Sequence, residues 1–156
     1  VFRHSGAQGV ALYGSDHDGY ARLRRQGSLE FPGQIAIDDM GFVRLRAGEH
    51  EVDLHELGSA LGPEGYVFPL GARGTVIGAL VCGPRPGEQY TANERKVLAH
   101  VAHQVGVALH ALQVQESMER LEAKAKLVDA LASGLLPASP EVQAKALELT
   151  SLASTG

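Results

Sequence analysis

In "GVALYGSDHDGYARLRRQG", Gly9 to Gly27, apolar residues alternate with small or polar ones, a period of two that predicts paired strands. "DHDG", Asp16 to Gly19, supplies turn chemistry between them, so the segment reads as a β-hairpin. In its second strand Tyr20, Arg22 and Arg24 are expected on one face, with Ala21, Leu23 and Arg25 on the other. The arginines mark an outer strand with a wet side.

The middle of the chain, Ser28 to Gly65, is less regular. Pro32 and Gly33 interrupt it, and Asp38 or Asp39 can cap a short helix whose apolar side is Met40, Val43 and Leu45. "EVDLHEL", Glu51 to Leu57, fits either a short strand or a turn of helix. "SALGPEG" reads as loop. After it, "YVFPLGARGTVIGALVCG" predicts two strands hinged on a Gly-Arg-Gly turn, and the near-continuous apolar run Val76 to Val81 predicts a central strand buried on both faces.

The last third is helical. Thr91 and Glu94 form a capping box, in which the threonine oxygen accepts the third backbone N–H and the glutamate reaches back to the cap. No proline follows until after Leu136, which predicts a helix of about 40 residues, roughly 60 Å long. Leu98, Val101, Ala102, Val105, Leu109 and Leu112 make a stripe able to cover a sheet. A second series, Val107, Ala111, Val114, Met118, Leu121, Ala125, Val128, Ala132 and Leu135, is spaced alternately by four and three. That is the seam of a coiled coil. A second short helix is expected to begin at Ser139-Pro140.

Composition sets the class. The chain has 156 residues, 44% hydrophobic and 21% charged, which predicts one domain with a full core. Net charge is −4, giving no general attraction to nucleic acid. No stretch approaches the roughly 20 apolar residues of a membrane span, so no direct membrane contact is expected within this fragment. The one cysteine, Cys82, excludes an internal disulfide and suits a reducing compartment. Inside an apolar strand it reads as a core residue. Opening at Val1 without a methionine, the chain reads as a fragment of a longer protein.

Candidate chemistry is sparse. No nucleophile elbow, phosphate loop, dinucleotide fingerprint or zinc-protease motif occurs, so no catalytic residue is assigned and an enzyme is not expected. His100 and His103 are three apart on one helix, with His110 further along, but that face offers no carboxylate or cysteine at ligand spacing. A structural zinc site needs four ligands, so no metal is expected. Asp53 and His55 would share a strand face and suit acid–base work. The pairs Arg22/Arg24 and Arg44/Arg46 could grip an anion, though a solvated face is their default reading.

The order "YVFPL", "GARG", "TVIGALVCG", "EQYTANERKVLAHVAHQVGVALHAL" resembles the end of GAF domains, sensory modules of signalling proteins, and the first hairpin matches that family less specifically. The resemblance covers about residues 1 to 115. It implies an α+β fold with a central antiparallel sheet flanked by helices, a long C-terminal helix, and middle segments enclosing a small-molecule pocket. The family's first helix is truncated to Val1 to His4. The cyclic-nucleotide signature is missing, no cysteine stands where a bilin would attach, and the cysteines of sulfoxide-reducing members are absent.

The resemblance therefore implies a sensor domain over 1–115, a coiled-coil-like signalling helix over 116–136, and a short helix and linker tail over 137–156. Its function would be to sense a small molecule and pass the change down the C-terminal helix. A ligand-free dimerisation or scaffold module is the alternative. The ligand, and any cofactor, stay unidentified; its wall is assigned to Phe42, Arg44, His55 and Phe68, which lie in or beside the middle segments. The expected partners are that small molecule and a second copy joined through the C-terminal helix. The expected location is cytoplasmic. Wording such as "DLH", "FPL" and "LVCG" also looks like bacterial members found behind membrane spans, which would make this the cytoplasmic part of an anchored protein.

Overall fold

A computed structural model describes residues 6–133. The chain divides into two units, Val1–His110 and Ala111–Gly156. Within the described residues, the first unit contains six strands: β1 (Gly9–Asp16), β2 (Gly19–Gly27), β3 (Gln34–Ala36), β4 (Val52–Asp53), β5 (Tyr66–Ala72) and β6 (Thr75–Cys82). A short helix, α1 (Met40–Arg46), lies between β3 and β4, and α2 (Ala92–Ala132) begins after β6 and continues into the second unit. The strands form one antiparallel sheet in the order β3-β2-β1-β6-β5-β4. This is the α+β architecture expected from the sequence. The expected first helix over Val1 to His4, Leu135 of the seam, and the second helix at Ser139-Pro140 lie outside the described residues.

Strand β6 is central, as its apolar run predicts, with β1 on one side and β5 on the other. Its alternating side chains feed two cores. Ala79 and Val81 join Tyr13, Phe42 and Val67 on one face of the sheet. Leu80 and Cys82 join Val10, Phe68, Leu98 and Ala102 on the other, where α2 covers the sheet. Burial pushes the Cys82 thiol up to about 12, so it remains a protonated core side chain.

The first hairpin forms as predicted, with Asp16 opposite Gly19, but its faces differ from a simple alternation. A bulge places Tyr13 opposite Arg22 and Leu12 opposite Arg24. Directly opposed residues share a face, and Tyr13 and Leu12 pack into different cores. Arg22 and Arg24 therefore lie on opposite faces, because the extra residue of a bulge reverses the alternation beyond it. The second hairpin closes on Arg73 and Gly74, both at positive φ (52° and 78°), which matches the twist of the flanking strands.

Helix α1 is capped by Asp39, whose carboxylate accepts from the Gly41 amide at 3.0 Å. The same carboxylate accepts from Ser59 Oγ at 2.6 Å and from the Ala60 amide at 2.8 Å, tying the following loop to the cap. The buried residues of α1 are Gly41, Phe42 and Leu45, whereas Met40 is exposed. Phe42, rather than Met40 and Val43, is thus the anchor of this helix.

Helix α2 starts on the expected capping box: the Glu94 amide donates to Thr91 Oγ1 at 3.2 Å, and the Thr91 amide donates to Glu94 Oε1 at 3.1 Å. Glu94 also pairs with Arg85 on the preceding loop. The sheet-facing stripe is narrower than the sequence suggests. Leu98, Ala102 and Gly106 are buried, Val105 and Leu109 partly so, and Leu112 is exposed. Gly106 is the point of closest approach, since a Cβ there would stand 3.0 Å from both N and O of Gly71 in β5. An 18-residue window of α2 also reaches a mean hydropathy of 1.3, so by length and composition this helix, contrary to the expectation above, is apolar enough to cross a membrane. Its buried positions are the ones that pack on the sheet.

Two outcomes follow from this packing. Gly106→Leu should lower stability by about 1–3 kcal/mol in chemical denaturation, because backbone rather than a yielding side chain opposes the new atoms; an unchanged midpoint would show that α2 does not press on β5. The Glu94 carboxyl is held down to about 2 by Arg85 and by the Thr91 amide and hydroxyl, from an ordinary value of 4.5. A depressed folded-state pKa stabilises the fold above the unfolded value and loses that contribution as pH falls through the folded one. The gap in thermal midpoint between the wild type and Glu94→Gln should therefore be full above about pH 4.5 and close towards about pH 2. A gap independent of pH over that range would mean that the ion pair contributes nothing.

Candidate functional site

The face of the sheet opposite α2 is covered by α1 and the loops around it. In the resembling family this is where a ligand would be enclosed. Here the space is occupied by aromatic side chains in mutual contact. The Phe42 ring stacks on Tyr20 with centroids 3.6 Å apart and planes within 6°, and meets Tyr13 edge-on at 6.4 Å. Tyr13 and Phe42 are fully buried. Their polar neighbours are satisfied: Tyr13 Oη donates to the Pro32 carbonyl at 2.7 Å, and Arg46 donates to Tyr20 Oη at 3.0 Å. Burial raises the Tyr13 phenol to about 12, against the opposing pull of Arg22. Among the described residues no buried side-chain polar atom lacks a partner.

The four residues assigned from the sequence to a ligand wall are not brought together. Phe42 lies in this aromatic core and Phe68 in the core on the opposite face of the sheet, beneath α2. Arg44 is directed to Glu49, which it grips with two hydrogen bonds of 2.5 and 2.6 Å. His55 is exposed, with Nε2 3.7 Å from Glu56 Oε1. The strand that was to place Asp53 and His55 on one face ends at Asp53. What joins them is the His55 backbone amide, donating to Asp53 Oδ1 at 2.9 Å, so the imidazole is not engaged by that carboxylate. The arginine pairs are also separated in role, since Arg22 donates to the Phe31 carbonyl and Arg46 to the Ile37 carbonyl.

A different cavity, of about 400 Å³, opens at the edge of the sheet beside the start of α2, and His55 is the one assigned residue that lines it. Its aromatic walls are Tyr66 and Tyr90, whose rings meet edge-on at 5.8 Å. Tyr90 is anchored by its hydroxyl, which donates to the Gly83 carbonyl at 2.7 Å, and burial pushes its phenol well up from the ordinary value. The Arg85 guanidinium lies 4.8 Å from the Tyr90 ring centre, and that of Arg95 5.2 Å from Tyr66. Asp53, Glu64 and Glu88 add carboxylates. The cleft therefore offers aromatic surface and both signs of charge, and Arg85 links it to the Glu94 cap of α2. Sequence reasoning missed Tyr66, Arg85 and Tyr90 as wall residues. The aromatic before Thr91 in "EQYT" was the one available signal.

Cys82 is buried and protonated, and among the described residues no group of three or more histidine, cysteine or acidic side chains is placed to hold a metal ion.

Comparison with known proteins agrees with this architecture. The GAF domain model matches residues 1–109. No curated protein matches the chain in sequence. Among solved structures, the second GAF domain of DevS from Mycobacterium smegmatis is 21% identical with a TM-score of 0.58, covering 75% of this chain and 90% of that one. The GAF domain of an Acinetobacter phosphoenolpyruvate-protein phosphotransferase is 20% identical with a TM-score of 0.56, covering 72% and 78%. The red/green cyanobacteriochrome NpR6012g4 in its green-absorbing state is 14% identical with a TM-score of 0.52, covering 74% and 90%. With a family match over most of its length and a sheet of the same fold, the chain belongs to the GAF domain family, the sensor modules of signalling and regulatory proteins.

Proposed function

We propose that this chain is a non-catalytic regulatory module that pairs with a second copy through α2 and uses that helix as its output. One observation carries the reading: the apolar series of the seam is exposed from Val107 to Ala132. Val107 is 54% exposed, Val114 44%, Met118 58%, Leu121 57% and Val128 46%. Apolar side chains at four-three spacing on a helix are covered when a second helix supplies matching knobs and holes. The unit boundary at His110/Ala111 supports a division near residue 115 between a GAF body and a signalling helix.

Charge favours a parallel pair. With Leu121 and Val128 at seam positions, Lys124 and Asp129 flank the seam so that each lysine meets the partner's aspartate in a parallel arrangement. An antiparallel pair would instead set Glu122 and Asp129 against the same acidic flank of the other copy. The alanines at 111, 125 and 132 narrow the seam, so the dimer is weak enough to be adjusted by changes in the GAF body. The filled aromatic face around Phe42 supports a body that works as a packed relay and not by enclosing a ligand there. The cytoplasm is the proposed location, in keeping with a single reduced cysteine.

A second reading, a small-molecule sensor, is supported by the edge cleft. A polar ligand there would touch His55 and Arg85, and through Arg85 the capping box of α2.

Analytical ultracentrifugation tests the first reading. The wild type should sediment as a dimer, and Leu121→Glu with Val128→Glu should give folded monomers, because four carboxylates would then face one another across the seam. A monomeric wild type at high concentration, or a dimeric double variant, would remove the paired helix from this mechanism. Native mass spectrometry of protein purified from its own host tests the second. A bound small molecule that is lost in Arg85→Ala would establish the cleft as a sensor site, and a mass equal to the bare chain in every preparation would count against it.

A further inference from the structure

We propose that two copies of the chain bind one divalent transition-metal ion of the zinc type between His100 and His103 of their α2 helices. This site rests on the parallel dimer proposed above. Continuing the four-three spacing towards the N-terminus from Val107 places Gln104, His100 and Val97 on the seam, with His103 flanking it. All of these are exposed, Val97 at 62%. The positions that pack on the sheet, Leu98, Ala102 and Gly106, occupy a different side of the helix. The GAF body therefore leaves this segment open to a second copy.

Within it, an otherwise apolar seam is interrupted by two adjacent polar layers. A polar residue at such a position weakens a coiled coil while fixing its register. The side chains of His100 and His103 make no hydrogen bond or ion pair among the described residues, and both are available as ligands. Residues three apart on a helix have Cβ atoms about 5–6 Å from each other, so one chain can direct two imidazoles to one point. One chain offers no third ligand, which is why no metal group is found within it. A two-fold axis changes the count. Facing seam positions bring the two His100 side chains together, each with a His103 at its flank, and the four imidazoles make up the four-coordinate nitrogen set that zinc takes. Of the nearby charges, Lys96 is exposed on a long side chain free to turn to solvent, and Glu94 is held by Arg85 and Thr91.

The consequence is a metal-dependent grip. Without the ion, the His100 and Gln104 layers loosen the seam beside the GAF body; with it, they become its tightest point.

The test uses the 156-residue chain in sedimentation equilibrium at about pH 7.5, held fixed because metal binding releases protons, with either EDTA or zinc chloride. Zinc should lower the dimer Kd by about tenfold or more, EDTA should reverse it, and cobalt(II) should give the intense visible bands of four-coordinate nitrogen ligation. His100→Ala should abolish all three effects, and His110→Ala, further along the helix, should leave them. A dimer whose Kd ignores zinc would sink the site but leave the paired helix standing. A chain that is monomeric with and without zinc would sink both. A full zinc response in His100→Ala, or an equal loss in His110→Ala, would mark the binding as adventitious and overturn the assignment.

Discussion

From Gly78 to Cys82 strand β6 is buried on both faces, and the rest of the first unit is arranged around that constraint. Its backbone is paired on both edges, by β1 and β5, and its side chains alternate into two separate cores. Each face of the sheet must therefore be roofed. On one side α2 comes so close that a Cβ at Gly106 would press on the backbone of Gly71 at 3.0 Å. On the other, α1 and its loop are pinned by the three hydrogen bonds to the Asp39 carboxylate, which hold Phe42 against Tyr13 and Tyr20. A ligand on that side would have to displace a stacked aromatic pair and reopen satisfied hydrogen bonds, whereas the edge cleft is already open and lined with polar groups.

The same constraint ties the sheet to the start of α2. Arg85 leaves β6 within three residues of Cys82 and pairs with Glu94, the reciprocal half of the capping box. Its guanidinium also lies over Tyr90, whose hydroxyl holds the Gly83 carbonyl. The loop between β6 and α2 is thus braced by an ion pair, a ring contact and a hydrogen bond instead of by chain stiffness. The edge cleft opens onto these same groups, so the route from that cleft to the helix is two side chains long.

Much of this fold was legible in the sequence where a single local rule governs. The run Val76 to Val81 is apolar at every position except its glycine because both faces are buried, and Thr91 with Glu94 marks a helix start because two orphan amides need acceptors. Where two rules compete, local reading failed. Period-two extrapolation put Arg22 and Arg24 together, but the bulge between them, with Leu23 covering Gly14, reverses the alternation. In α1, Met40 and Val43 fit a helical stripe as well as Phe42 does. Burial went to the ring that could stack on Tyr20, a partner twenty-two positions away that no local pattern reveals. The cleft was illegible for the same reason: Asp53, Tyr66, Arg85 and Tyr90 meet only through the β4–β5–β6 pairing.

The proposed seam of α2 rests on spacing, while its strength is a matter of composition. A seam of leucine and isoleucine would hold two copies together irrespective of the GAF bodies. Alanine at 111 and 125 removes most of the apolar area that each of those layers would contribute, at roughly 25 cal/mol per Å² of surface withheld from water. A signalling helix needs two states close in free energy, since a regulatory input can shift an equilibrium only by its differential affinity for them. In the proposed dimer, a thin apolar seam, polar at the end nearest the sheet, would keep the paired and loosened forms within reach of the modest forces that one bound ion or one rearranged cleft can exert.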